Sequence, residues 1–227
     1  METLGPFCDF PLSDAKIGDV VEFDDTFLIS NQEQMEFELH STSWEIIYWS
    51  KVELADNEEL IDDEHISIYR YYLKSCSANS RNFNDNDFAS VFVQIELNDK
   101  NIMEGCSYFK LLERFIPKDW KRWIDEEDGR IGRETYRSKS NEVYQRVWDE
   151  VYPYRVAPYH FIERILDGES IIKERNFYGM LYSKVRDIDW TSYILLSLDE
   201  EILESKLTLG VYSGIEIDPE SFKLIVQ

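Results

Sequence analysis

Alternating apolar and polar positions dominate the first hundred residues. In WEIIYWSKVEL (44–54), both alternating sets contain apolar residues, as in a strand that is covered on both faces. ASVFVQIEL (89–97), HISIYRYYLK (65–74) and MEFELH (35–40) alternate in a similar way. The short spacers between several of these runs favour antiparallel pairing. The first part of the chain is therefore predicted to form a β-sheet.

A helical period follows between about residues 107 and 167. SYFKLLERFIP (107–117) carries one apolar stripe that stops at a proline, and KDWKRWIDEED (118–128) extends the pattern. SNEVYQRVWDEVYP (140–153) has the two-adjacent, four-apart spacing of an amphipathic helix. APYHFIERILDG (157–168) has a proline for its first turn and a glycine for its end. These patterns predict a central helical region.

Strand patterns return after this region, in NFYGMLY, TSYILLSL, KLTLGVY and SFKLIVQ. One short helix is predicted around LDEEILESK, where Ser197 and Glu200 have the spacing of a capping box. The predicted fold class is α+β, with predominantly antiparallel β-sheet segments flanking the helices of about residues 107–167.

The domain organisation follows from the absence of repeats and linkers. No internal repeat and no Pro/Gly/Ser-rich linker occurs, so residues 1–227 are expected to form a single α+β domain. The alternative is a division into an acidic β-rich segment (1–105), a helical segment (106–168) and a β-rich segment (169–227). The sequence leaves this choice open.

Charge is distributed unevenly along the chain. The 227 residues include 46 acids and 24 bases, a net charge of -22. Residues 1–110 hold 23 acids and 7 bases, whereas residues 111–190 hold 16 and 15. Such an acidic chain lacks the clustered Lys and Arg that grip phosphates, and an anionic lipid surface would repel it. We therefore expect neither direct nucleic-acid binding nor membrane binding.

The cellular compartment is predicted from the N-terminus and the cysteines. METLGPFCDFPLSDAK has no basic start followed by an apolar run, so no secretory signal is expected. Cys8, Cys76 and Cys106 are odd in number and widely spaced, which fits a reducing compartment. These features favour a cytoplasmic protein.

Motifs for catalysis and cofactor binding are missing from the sequence. No G-x-S-x-G, P-loop or G-x-G-x-x-G occurs, and the three histidines lack metalloprotease spacing. His160 and Glu163 could share a ligand from one predicted helix, although a hydrogen-bonded surface pair is the commoner arrangement. The G-x-x-G of Gly129 and Gly132 could approach a phosphate backbone, but it is interpreted as a flexible connector between helices. We predict no catalytic residue, no metal and no cofactor.

Two stretches are candidates for partner binding. ELADNEELIDDEH (53–65) has seven acids and no Lys or Arg. VYPYRVAPYHF (151–161) mixes Tyr, Pro and Arg, as protein contact sites do. The acids could instead belong to a short solvated helix, and the tyrosines could be half-buried. The predicted partner-binding residues are Glu58, Glu59, Asp62, Asp63, Glu64, Tyr152, Tyr154 and Tyr159.

These observations rank the function classes. The first is an acidic, non-enzymatic protein-binding inhibitor of the immunity or anti-defence type, which captures a basic partner such as a toxin, nuclease or defence protein. The first alternative is a carboxylate-dependent enzyme, a hydrolase or metal-assisted nuclease without a recognisable motif. A DNA mimic is the further alternative. The chain could also form a homodimer.

Overall fold

A computed structural model provides the structure of the protein. It describes residues 14–24, 41–55, 67–76, 90–98, 102–125, 128–148, 152–167, 170–187, 190–201 and 206–227, together with Leu12, Thr26, Glu36, Phe37 and Lys100.

Twelve strands make up most of the described chain. They are β1 (Val20–Phe23), β2 (Ser43–Leu54), β3 (Ser67–Ser75), β4 (Val91–Leu97), β5 (Met103–Phe115), β6 (Thr135–Arg137), β7 (Val143–Arg146), β8 (Tyr159–Asp167), β9 (Ser170–Asp187), β10 (Trp190–Glu201), β11 (Lys206–Glu216) and β12 (Phe222–Ile225). A four-residue helical turn, α1 (Lys121–Ile124), and a 3-10 turn at Pro219–Ser221 lie between strands.

Eight of these strands close on themselves. β2, β3, β4, β5, β11, β10, β9 and β8 pair in that order, and β8 pairs in turn with β2. Each of these pairings is antiparallel. Closure satisfies the backbone groups that a sheet edge would leave unpaired. The central architecture is a closed, eight-stranded antiparallel β-barrel.

The other four strands extend two strands of the barrel. β1 pairs with residues 43–45 of β2, whereas β8 pairs with residues 49–54 of the same strand. β12 then pairs with β1. On the other side, β7 pairs with β9 at residues 182 and 183, and β6 pairs with β7. β2 and β9 therefore each pair with two different strands along the same edge.

Both faces of the barrel wall are covered by apolar side chains. One cluster covers the outer face of β3, β4 and β5, and it includes Leu12, Phe37, Trp44, Val93 and Tyr108. A second cluster joins the outer faces of β9, β10 and β11 to Ile131 and Tyr144, and it also includes the inward-facing Val52 and Phe177. A third, with Tyr72, Phe92, Phe109 and Tyr212, lies inside the barrel. Strands covered on both faces need nearly continuous apolar runs, as the sequence has.

The predicted α+β fold class is wrong, because the described part of the region 107–167 contains one helical turn, α1, and is otherwise strand and loop. Residues 107–115 belong to β5, residues 143–146 form β7, and residues 159–167 form β8. Ser197 and Glu200 lie in β10, so the helix predicted there is also wrong over the described residues. Over their described residues, the strands predicted in 44–54, 65–74 and 89–97 are confirmed, as are the four after residue 168. The strand predicted in 35–40 lies outside the described residues apart from Glu36 and Phe37.

The two main errors have physical causes. In β8, Phe161 and Ile165 are buried while Ile162 is half-buried, and this set also fits a helical stripe. The buried polar Glu163 between them interrupts the apolar alternation that marks a strand. In β5 the register shifts at Leu112, since Tyr212 pairs with Leu111 and Val211 pairs with Glu113. A bulge of this kind changes the phase of the alternation.

All three segments of the alternative domain division contribute strands to the barrel. The single domain stays a prediction. Within the described chain, the structure shows no helix with the length and apolar character needed to cross a membrane.

Gly214 allows close contact between β11 and β5. A Cβ atom at this position would lie 2.5 Å from Phe109 Cδ1 and 2.9 Å from the Tyr108 carbonyl oxygen. We expect Gly214→Ala to lower the free energy of unfolding by about 1–3 kcal/mol through overpacking. Urea titration would measure this loss.

Gly105→Ala is the matched control, because the nearest atom to its added Cβ would be Glu96 Oε2 at 3.5 Å. This change should be close to neutral. Equal unfolding midpoints for the two variants would contradict the close contact at Gly214.

Candidate functional site

A row of polar side chains crosses neighbouring strands inside the barrel. Ser50 on β2 pairs with Arg70 on β3, and Arg70 pairs with Gln94 on β4. Directly paired residues share one face of a sheet. Glu163 on β8 pairs with Val52, which lies two residues from Ser50 and so faces the same way. Ser50, Arg70, Gln94 and Glu163 are all at most 2% exposed.

Glu163 accepts hydrogen bonds from four side chains. Ser50 Oγ donates to its Oε1 over 2.5 Å, and the Tyr72 hydroxyl donates to the same oxygen. Arg175 Nε donates to Oε2 over 2.5 Å, and Arg70 Nη1 donates to it over 3.4 Å. A carboxylate has about four acceptor positions, so the described contacts engage all of them.

Contacts between unpaired strands show that this network fills the barrel interior. Arg175 on β9 donates to the hydroxyl of Tyr72 on β3 over 3.1 Å, although β9 and β3 are not neighbours in the sheet. The Arg70 guanidinium lies 4.9 Å from the ring centroid of Phe92 and 5.2 Å from that of Phe177. Phe177 is on β9, which does not pair with β3, so the Arg175–Tyr72 and Arg70–Phe177 contacts can form only across the inside of the barrel.

Two further carboxylates extend the network. Asp199 Oδ2 lies 3.8 Å from Arg175 Nη1, and Ser197 Oγ donates to Asp199 Oδ1 over 2.6 Å. Arg70 Nε donates to Gln94 Oε1 over 3.0 Å. Gln94 Nε2 in turn donates to Glu96 Oε1 over 2.8 Å. Both buried guanidinium groups thus have polar partners in addition to Glu163.

The two arginines keep Glu163 ionised. Burial alone would raise the pKa of Glu163, but Arg175 and Arg70, together with the Ser50 and Tyr72 donors, lower it to about 2. Burial raises the pKa of Tyr72, and the neighbouring Glu163 adds to this effect. Glu163 is therefore a permanent anion at neutral pH, and Tyr72 is a permanent donor.

This saturation limits what the network can do chemically. A general acid needs a proton to give, and a general base needs a free acceptor position within reach of a substrate. Glu163 has no proton at neutral pH, its oxygens accept four internal donors, and it is 0% exposed. Glu163 therefore links strands to one another and has no free acceptor position for a substrate.

A further buried arginine, Arg146, organises the loops outside the barrel. Arg146 on β7 donates through Nη1 to the carbonyl oxygens of Gly132, over 2.7 Å, and Tyr154, over 2.8 Å. Its Nη2 donates to the Tyr152 carbonyl oxygen over 2.5 Å. Gly132 has a φ of 87°, and a Cβ there would lie 1.9 Å from the Val156 carbonyl oxygen. The G-x-x-G is thus a fixed loop, and its interpretation as a connector between helices is wrong.

The predicted partner-binding residues lie in different places. Glu58, Glu59, Asp62, Asp63 and Glu64 are outside the described residues. Tyr154 is 62% exposed, Tyr152 is half-buried, and their ring centroids are 5.6 Å apart. Tyr159 is 8% exposed and packs on Trp148 with centroids 5.8 Å apart. Their roles in partner binding stay predictions.

His160 and Glu163 do not form the pair that a helix would allow. On strand β8, residues three apart point to opposite faces. His160 stacks on Tyr178 with ring centroids 4.8 Å apart, whereas Glu163 lies inside the barrel. The predicted shared ligand site or surface pair at these residues is wrong, because the helix on which it depended is a strand.

The sequence analysis did not identify the residues of the buried network as candidate site residues. Arg70 stands in the apolar strand pattern SIYRYYL, where a charged residue between flanking aromatic residues is unusual. This was the available signal, since a buried charge needs a buried partner. Nothing local identified the partners, because Glu163 and Arg175 are 93 and more residues away.

Comparison with known proteins places the chain in a family. A family model described as "Protein of unknown function (DUF2491)" matches residues 11–223, so the chain belongs to this family. Neither a curated protein nor a solved structure matched the chain. Among the side chains that the structure describes, no group of three or more His, Cys, Asp or Glu is arranged to hold a metal ion.

Glu163→Gln should destabilise the protein at neutral pH, because it removes the anion that pairs with Arg70 and Arg175. Removing one partner of a buried ion pair costs about 3–5 kcal/mol. The folded-state pKa of about 2 lies below the ordinary 4.5, so the contribution of Glu163 is fully present above pH 4.5 and is lost as the pH falls toward 2.

The free-energy difference between wild type and Glu163→Gln should therefore shrink by about 3 kcal/mol over this acidic range. Urea titrations at several pH values would measure it. Glu104→Gln, at an exposed carboxylate on β5, is the control. A difference that stays constant between neutral and acidic pH would contradict the role assigned to Glu163.

Arg146→Lys should loosen the loops outside the barrel, because one ammonium group cannot replace two guanidinium nitrogens that bind three carbonyl groups. We expect a loss of about 1–3 kcal/mol in the free energy of unfolding. Hydrogen exchange should quicken at the Gly132 amide, which donates to Tyr182, and at the Val156 amide, which donates to Gly132. Arg137→Lys, at an exposed arginine bound to Asn141, should leave these amides unchanged.

Proposed function

We propose that the protein is a non-enzymatic binding protein, in which acidic connecting segments capture a basic protein partner. The distribution of charge supports this proposal. Of the 46 acidic residues, 21 lie outside the described residues, whereas only one of the 24 basic residues, Arg81, does so. The described part is close to neutral, with 25 acids and 23 bases. Most of the excess negative charge thus lies outside the barrel strands in sequence.

The described part of the chain pairs many of its own charges. Arg164 on β8 binds both Glu53 and Glu174. Glu142 pairs with Arg186 over 3.0 Å, and Lys223 pairs with Glu22 over 2.8 Å. Exposed pairs of this kind contribute little to stability, but they cancel the local field. The scaffold therefore adds little to the attraction of a charged partner.

The connecting segment between β2 and β3 has the opposite character. Asp56–Glu64 contains six acids and no base. A field of one sign at the rim of a binding surface raises the rate at which an oppositely charged protein is captured. Such a segment suits recognition of a basic toxin, nuclease or defence protein. We propose a cytoplasmic inhibitor of the immunity or anti-defence type.

The loop at residues 152–158 supplies apolar contact area in this proposal. Tyr154 is the more exposed of its two tyrosines, and Arg146 holds the carbonyl oxygens of both Tyr152 and Tyr154. A loop fixed in this way loses little conformational entropy when it binds. Tyr152 and Tyr154 can therefore contact a partner without prior rearrangement.

Neutralising the segment should slow partner capture. The variant changes Glu58, Glu59, Asp62, Asp63 and Glu64 to Gln or Asn. Affinity capture from the native host would first identify a stoichiometric basic partner, and stopped-flow mixing would then give association rates across a salt series. We expect a severalfold slower association at low salt, little change in dissociation, and an effect that fades as salt screens charges beyond about 8 Å.

The matched control changes five exposed acids of the described part to Gln: Glu104, Glu134, Glu200, Glu216 and Glu220. Both variants remove the same net charge, so only location differs. Equal association rates for the two variants, or rates independent of salt, would contradict capture by the β2–β3 segment. If no basic partner is captured, the proposed function itself is contradicted.

A further inference from the structure

One exposed surface combines apolar and basic side chains at the end of β5. We call it the apolar–basic tip, and it consists of Phe115, Ile116, Lys118, Trp120, Lys121 and Arg122. Its three apolar residues are 37%, 60% and 39% exposed. The side chain of Arg122 is 77% exposed. All six residues thus face solvent in the described structure.

The tip is held in place by contacts behind it. The Phe115 ring packs edge-on against Trp123, with centroids 5.8 Å apart, and the Arg130 guanidinium lies 5.1 Å from the Trp123 centroid. The Arg130 amide donates to the Arg122 carbonyl oxygen over 3.1 Å, and the Ile131 amide donates to that of Trp123 over 2.9 Å. A surface fixed before binding loses less entropy on association.

The composition of the tip is that of a contact surface. Single exposed apolar residues are normal, but three of them within six residues form a patch. Trp and Arg are the residue types that most often dominate the energy of protein interfaces. Here Trp120 and Arg122 lie on the same turn, around α1.

The charge of the tip is opposite to that of the whole chain. Residues 114–122 hold four bases and one acid, within a chain of net charge -22. An open cleft of about 540 Å³ adjoins the tip, and Lys121, Arg122, Arg130 and Arg133 line it together with three aspartates. Arg122 pairs with Asp119 over 3.1 Å, and both side chains are more than half exposed. Such an exposed ion pair contributes little to stability, so Arg122 can exchange Asp119 for a carboxylate of a partner.

We propose that the apolar–basic tip docks an acidic segment of a partner protein, in which an aromatic or aliphatic side chain lies between carboxylates. The apolar side chain packs on Ile116 and Trp120, and the carboxylates bind Lys118, Lys121 and Arg122. This site consists of other residues than the acidic segment Asp56–Glu64, and its charge has the opposite sign. Charge complementarity selects the partner.

A protein segment fits the tip better than a lipid surface does. A flat anionic membrane would bring its charge within range of the many acids of the chain, and their repulsion would oppose binding. A narrow segment reaches only the tip, because charges beyond about 8 Å are screened at physiological salt.

The test uses a fluorescein-labelled synthetic peptide of Glu and Phe, with Glu-only and Lys–Phe peptides as comparisons, measured by fluorescence anisotropy. We expect the Glu–Phe peptide to bind best and to weaken as salt rises. The double variant Lys121→Glu and Arg122→Glu should lose about tenfold or more in affinity. Trp120→Ala should lose severalfold, and Lys121→Arg should retain binding.

The control is Ile172→Ala with Lys173→Glu, which changes one exposed apolar and one exposed basic residue on β9, away from the tip in sequence. It should bind the Glu–Phe peptide as wild type does. The charge-reversed residues are exposed, so thermal unfolding should show an intact fold even if Trp120→Ala proves unstable.

No binding of the Glu–Phe peptide, equal binding of the Glu-only peptide, or insensitivity to the charge reversal would overturn the proposal. Binding to phosphatidylglycerol vesicles that is lost in the same variants would overturn it in favour of a lipid surface. Neutralising Glu58 to Glu64 should leave peptide binding intact, so failure here is distinguishable from failure of the proposed function.

Discussion

The pairing of Glu163 with Arg70 and Arg175 is the interaction on which the rest of the barrel depends. Removing an ion from water costs several kcal/mol unless its partners and hydrogen bonds are in place. The partners of Glu163 come from three strands, with Ser50 on β2, Arg70 and Tyr72 on β3, and Arg175 on β9, and Glu163 itself is on a fourth strand, β8. All four strands must therefore be positioned before the charge is satisfied.

This requirement also specifies strand register. In a sheet, a slip of one residue turns every side chain of a strand to the other face. If β8 slipped in this way, Glu163 would leave the interior and two arginines would remain buried without that anion. An apolar interior would tolerate such a slip better, because one aliphatic side chain can replace another. The aromatic rings of Phe92, Phe109 and Tyr212 then fill the remaining space.

The same network explains how far the fold could be predicted from sequence. β2, β3, β4 and the strands after residue 168 have enough alternating apolar residues to be found locally. β8 could not be found in this way, since its apolar residues fit a helix once Glu163 is taken as exposed. A buried Glu163 can be expected only when Arg70 and Arg175 are known to lie beside it, and Arg70 is 93 residues away in sequence. The acids from Glu58 to Glu64 were chosen as partner-binding candidates from composition alone. Composition does not give the distance between these acids and any other group.

The separation of charge between barrel and connecting segments bears on function. A chain of net charge -22 is destabilised by self-repulsion wherever its acids lie close together. Here the described part, which contains the barrel, is nearly neutral, and most of the excess acids occur outside it. Changes to those acids can therefore alter the long-range field while every described partner of Glu163 is kept. Under the proposed function, recognition would therefore depend on the acids of the connecting segments, whereas the described fold depends on Glu163 and its partners.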